Sequence, residues 1–95
     1  MITTKQRAIL RGLANPLEAI LQIGKGGITP TVLKQANDAL AAREMIKGKV
    51  LDNAPFTARE AAQALAEAAE CDIVQVIGSR FVLYKKRAKD PIYIV

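Results

Sequence analysis

Apolar residues recur along this chain at two spacings, helical and every second residue, and the switches between them mark seven elements. From about Thr3 to Ala14 the residues Leu10, Leu13, Ala14 and Leu17 stand at i, i+3, i+4 and i+7, one apolar stripe of a helix. Thr3 or Thr4 can cap its start, and Asn15-Pro16 ends it because the residue before proline is pushed out of the helical region. Lys5, Gln6, Arg7 and Arg11 lie off that stripe. Leu17 to Ile23 then alternates, with Ala19, Leu21 and Ile23 facing one way and Glu18, Ile20 and Gln22 the other, which predicts a strand. A second helix opens at Thr29-Pro30, a good cap followed by a good first residue, and runs to about Arg43 with Leu33, Ala36 and Leu40 inward.

Glu44 to Leu51 is the second predicted strand, with Ile46, Gly48 and Val50 on one face and Lys47 and Lys49 on the other. After a turn at Asn53-Ala54-Pro55, the capping box Thr57-Ala58-Arg59-Glu60 starts a third helix, with Phe56 placed as its hydrophobic staple. That helix continues through Ala61, Leu65 and Ala68 to about Glu70. Ile73–Ile77 and Phe81–Lys86 are strands joined as a hairpin around Gly78-Ser79-Arg80. The tail beyond Arg87 is basic and then apolar from Ile92 to Val95, and is expected to dock as a short extension. The order α-β-α-β-α-β-β predicts an α/β fold: a four-stranded mixed sheet with helices on one or both faces, and two right-handed β-α-β crossovers.

Composition narrows what such a fold can do. The 95 residues suit one domain spanning 1–95, and the 51% hydrophobic content is rich in Ala, so the core is thin and leaves little room for a deep catalytic pocket. There is no His, and Cys71 is alone. The usual metal ligands and general bases are therefore nearly missing, no internal disulfide is possible, and a reducing cytoplasm is the expected setting. Cys71 itself is expected to be a small, at least half-buried residue. No apolar run reaches the roughly 18 residues of a membrane span, and the N-terminus lacks the layout of a secretory signal. Neither a cofactor, a metal nor a small-molecule substrate is expected, and the chain does not read as an enzyme.

Charge points to a partner instead. The net charge is +5, divided as +4 over residues 1–34, −2 over 35–70 and +3 over 71–95. An acidic middle between basic ends predicts a positive surface that the two ends share, suited to an anionic partner. Arg7 and Arg11, four apart, stack like charges on one helical face at a cost of a few tenths of a kcal/mol, which an anion would offset.

The strand ending at Ile23 runs straight into Gly24-Lys25-Gly26-Gly27 and then into a helix. Glycine lets a phosphate approach the backbone, the first amides of a following helix lack partners, and Lys25 adds a full charge. Nucleotide cofactors are disfavoured by spacing, since neither G-x-x-x-x-G-K-[ST] nor G-x-G-x-x-G is present. Clamping a nucleic-acid backbone is the remaining use of such a loop, as in KH domains, although there the loop joins two helices.

Here the resemblance becomes specific. Thr4-Lys5-Gln6-Arg7-Ala8-Ile9-Leu10-Arg11-Gly12-Leu13-Ala14, Ile23-Gly24-Lys25-Gly26-Gly27-Ile28-Thr29 and the hairpin Val74 to Lys85 resemble the YhbY family, the stand-alone bacterial form of the CRM (chloroplast RNA splicing and ribosome maturation) domain. Glu44-Met45-Ile46-Lys47-Gly48-Lys49 matches that family's short charged strand. The resemblance implies a fold similar to the C-terminal domain of translation initiation factor 3. It also implies RNA binding without catalysis, and association with ribosomal RNA in precursors of the large ribosomal subunit. A monomer is expected.

The candidate RNA contacts are Gly24, Lys25, Gly26 and Gly27 in the loop, Lys5, Arg7 and Arg11 on the first helix, Lys47 and Lys49 on the second strand, and Arg80, Tyr84, Lys85 and Lys86 on the hairpin. Tyr84 can stack on a base or sit in the core. With 4% aromatic residues and no Trp there is no broad stacking platform, so phosphates and RNA shape are expected to dominate. A competing reading is a protein-interaction module that docks through the Ala-rich third helix; a small phosphate-handling enzyme is a third.

Overall fold

A computed structural model describes residues 2–93. Its elements follow the expected order: α1 (Thr4–Ala14), β1 (Ala19–Ile23), α2 (Pro30–Arg43), β2 (Met45–Val50), α3 (Ala58–Ala69), β3 (Asp72–Ile77) and β4 (Arg80–Tyr84). The strands form one sheet in the order β1-β2-β4-β3. β1 and β2 are parallel, whereas β4 runs antiparallel to both β2 and β3. The sheet is therefore mixed, and β4 is inserted between the parallel strands β2 and β3.

Side-chain alternation gives the sheet two apolar faces. On one, Leu21, Ile23, Ile46, Val50, Phe81 and Leu83 meet α2 and α3. On the other, Met45, Val74, Val82 and Tyr84 meet Leu10 and Ala14 of α1, with Leu17 and Tyr93 packed around them. The helices thus flank the sheet from both sides. The tail docks as expected through Tyr93 and through the Ile92 N–H; Ile94 and Val95 lie outside the described residues.

The helix starts are those the sequence encodes. Thr3 and Gln6 form a reciprocal capping box on α1, and Thr57 and Glu60 form another on α3. Thr29 caps α2, with Pro30 as its first residue. Gly48 makes space for an aromatic neighbour: it lies directly across from Phe81, and a Cβ there would sit only 2.3 Å from the ring. The ring fills the volume the glycine leaves empty, so this strand loses little packing to its missing side chain.

Three details differ from the expected pattern. Leu13 is 44% exposed, because α1 turns Leu10 and Ala14 to the sheet instead. Arg7, three residues before Leu10, shares that inward side and is half-buried. In α3, Ala69 and not Ala68 faces the core, together with Ala58, Ala61, Ala62 and Leu65. That stripe is buried against the sheet, while Ala64 and Ala68 lie on the exposed side of the helix.

Candidate nucleic-acid interface

β1 delivers the glycine-rich loop at the sheet's C-terminal end, seated on the end of β2 where the Leu51 N–H donates to the Ile23 carbonyl. Gly24 to Gly27 forms a tight turn closed by the Gly27 N–H to the Gly24 carbonyl at 2.9 Å, leaving Lys25 and Gly26 exposed at its corners. The three glycines are not equivalent. Gly27 has φ +70, and a Cβ there would meet the Phe56 ring at 2.8 Å, so the fold itself requires glycine. At Gly24 and Gly26 the nearest side-chain atoms would lie 3.6 and 3.5 Å away, ordinary contact distances. Packing does not demand glycine at either position. Phe56, expected only to staple α3, thus also buttresses the loop from behind.

One expectation about the loop is corrected. Ile28 and Thr29 separate it from α2, Pro30 has no N–H, and the Val32 N–H is taken by the Thr29 hydroxyl at 3.1 Å. The helix start is largely satisfied internally. An anion at the loop would meet the turn and Lys25 more than the helix amides.

Beside the loop, the α1 side of the sheet is open, because α1 ends at Ala14 before covering it. Register places Gln22, Lys49, Arg80 and Ile77 in one row across all the strands on this face, with Lys47 two residues behind Lys49. Lys49 and Arg80 are direct cross-strand partners, a juxtaposition of like charges that disfavours the sheet. Asn15, Lys47, Gln75, Ile77 and Arg80 line a shallow hollow of about 160 Å³ there. Around the β3 edge, Arg7 and Arg11 of α1 and Arg59 of α3 line one groove. Among the described residues the only salt bridge is Lys34–Asp38 at 2.9 Å, so none of these cations has a carboxylate partner.

Other expected contacts are placed elsewhere. Tyr84 is 2% exposed and donates its hydroxyl to the Glu44 carboxylate at 2.9 Å, with burial and that carboxylate pushing its pKa up to about 12. The base-stacking role is corrected by this burial: the ring belongs to the core under α1. Lys85 donates its ammonium to the Ala69 carbonyl at 2.9 Å, satisfying the C-terminus of α3. Arg80 and Lys85 bracket β4, so Lys85 and Lys86 sit roughly 17 Å from the loop-side row. Lys86 joins Arg87 and Lys89 against α2 in a separate basic patch. Lys5 is exposed but lies about 200° around α1 from Arg7, on a different side.

Two residues escaped the sequence reading. Glu44, read as the start of a strand, is a fully buried cap of α2 at φ +68 that accepts hydrogen bonds from Tyr84 and from the Ile92 N–H. Arg59 was masked by its acidic neighbourhood. Its signal is a cation in the first turn of a helix, where the macrodipole disfavours positive charge. Cys71 is half-buried, and burial, aided by Asp72, pushes its thiol up to about 11, which keeps it protonated and unreactive. No helix among the described residues is long and apolar enough to cross a membrane.

Known proteins are similar to this chain in sequence and fold. The chain is 43% identical over 86 residues to the probable RNA-binding protein YqeI of Bacillus subtilis, covering 90% of each chain. It is 34% identical over 84 residues to a Haemophilus influenzae protein named RNA-binding protein, covering 88% of this chain and 85% of that one. A solution structure from Staphylococcus aureus, 44% identical, superposes with a TM-score of 0.79 over 98% of this chain and 95% of that one. The CRS1/YhbY (CRM) domain model matches residues 2–85, and the chain therefore belongs to the CRS1/YhbY (CRM) domain family.

Proposed function

We propose that this protein is a single RNA-binding domain, active as a cytoplasmic monomer without catalysis, that grips an RNA backbone at the loop Gly24–Gly27. Lys25 at the turn, Lys47, Lys49 and Arg80 on the open sheet face, and Arg7 and Arg11 on α1 supply the positive charge; Lys5 contributes only to the general field. Tyr84 is omitted for its burial, and Lys85 for its role at α3. Lys86 contacts RNA only if the ligand reaches the far end of the sheet. The observation that carries the proposal is the pattern of glycine use. Only Gly27 is required by packing, so Gly24 and Gly26 keep the turn bare for a ligand to approach. Two relatives named RNA-binding proteins support RNA as that ligand.

The RNA is proposed to be ribosomal, within precursors of the large subunit, as the family resemblance implies. Crosslinking in cells followed by sequencing of the attached RNA tests this. Enrichment of large-subunit ribosomal RNA is expected. Predominantly messenger RNA would overturn the ribosomal assignment and leave RNA binding intact, while loss of crosslinks in Lys25→Glu would tie the contact to the loop.

A further inference from the structure

The groove along the β3 edge is lined by Arg7, Arg11 and Arg59 and by the outer edge of Ile73 to Ile77, and encloses about 480 Å³. Three features set it apart from a solvated surface. Its charged residues come from two helices on opposite faces of the sheet, so only the tertiary fold brings them together. No carboxylate lines it, and the like charges of Arg7 and Arg11 are left uncompensated. Arg7 is also held in place: its Nε donates to the Ile73 carbonyl at 3.1 Å from a half-buried position, which fixes the guanidinium while its terminal nitrogens remain to face a ligand.

Arg59 is the informative member. It lies in the first turn of α3, next to the Glu60 of the capping box, where a cation opposes the helix macrodipole. Phe56, three residues earlier, is the residue that supports Gly27. The groove lies at the opposite edge of the sheet from the loop, three strands away, and the row Gln22, Lys49, Arg80 and Ile77 spans the distance between them, ending at Ile77 in the groove. Arginine suits such a path, because its planar fork binds phosphate oxygens in pairs.

We propose that the β3-edge groove is a second phosphate-binding track, in which Arg59, with Arg7 and Arg11, holds the RNA backbone after it leaves the loop. This rests on the RNA-binding reading above and adds a residue and a direction to it. An acidic peptide pairing with the β3 edge is the competing occupant. RNA is favoured because the cations Lys49 and Arg80 lie on the row that leads from the loop strand to Ile77 in the groove, and because the groove's own charges come as a series of arginines.

The test is fluorescence anisotropy with a labelled RNA stem-loop of about 30 nucleotides, for wild type, Arg59→Ala, Lys25→Ala and Arg43→Ala, each over a range of salt, alongside thermal melting. Arg59→Ala is expected to weaken binding roughly three- to tenfold and to reduce the log–log salt slope by about 1. Its melting temperature should stay level or rise slightly, because a charge unfavourable to the helix is gone; a merely structural arginine would lower it. Arg43→Ala should leave both affinity and slope unchanged. If Arg59→Ala binds like wild type while Lys25→Ala is impaired, the second track is wrong and the loop reading stands. If wild type does not bind the stem-loop, both fall. If Arg59→Ala loses only the capture of a labelled poly-glutamate peptide, the groove is a peptide site and the proposal is overturned.

Discussion

Glu44 and Tyr84 illustrate how a single residue can be legible in type but not in place. Alternation puts Tyr84 on a definite face of the hairpin, yet only tertiary packing shows that α1 covers that part of the face, and nothing local announces that Glu44 leaves α2 with a positive φ and turns inward. The pair predicts a clear separation of effects. Tyr84→Phe should leave RNA affinity unchanged and lower unfolding free energy by about 1–3 kcal/mol in a urea titration, because a buried carboxylate loses a donor. The alkaline limb carries a second signature. The folded pKa of Tyr84 is about 12 against the usual 10, so its contribution is complete below pH 10 and is lost as pH rises from 10 to 12. Cys71, at about 11 against 9.0, acts in the same direction from pH 9 upward. Thermal melts across pH 8 to 12 should show this decline, and Tyr84→Phe should flatten its upper part. The loop glycines divide the other way. Gly26→Ala should fold normally yet bind RNA at least several-fold more weakly, whereas Gly27→Ala should lose about 1–3 kcal/mol of stability, through strain at positive φ and the clash with Phe56.

The elements were legible wherever a local signal was strong. Two capping boxes, Thr29-Pro30 and the Gly78 turn fix starts and reversals to within a residue or two, because these motifs satisfy backbone groups locally. Which residues of an amphipathic helix face inward was less legible: Leu10 and Leu13 are equally apolar, and the seat of α1 on β3 and β2 chooses between them. The fit of β2 against β4 depends likewise on a partner distant in sequence. Gly48→Ala should destabilise by about 1–3 kcal/mol in chemical denaturation, because the new Cβ has nowhere to go but into the Phe81 ring. The same variant should keep its RNA affinity once folded, since Gly48 faces α2 and α3, away from the open basic face.

At the scale of the whole molecule, segment charges predict that the two basic ends share a surface, and the fold meets that expectation only in part. Arg80 stands on the loop-side row and Arg7 and Arg11 line the β3 edge across the sheet from the loop, while Lys85 and Lys86 end up at the far end of the sheet because β4 runs away from the loop. Arg59 joins from the acidic middle, which segment sums conceal. What results is a discontinuous patch of cations built around a bare turn, without an aromatic platform, so affinity should be dominated by phosphate neutralisation. The most direct test is the salt dependence of wild-type binding to a structured ribosomal RNA fragment. A log–log slope of about −3 to −5 is predicted, as expected when roughly four to six phosphates are neutralised. A slope near zero would contradict a backbone grip centred on Gly24–Gly27.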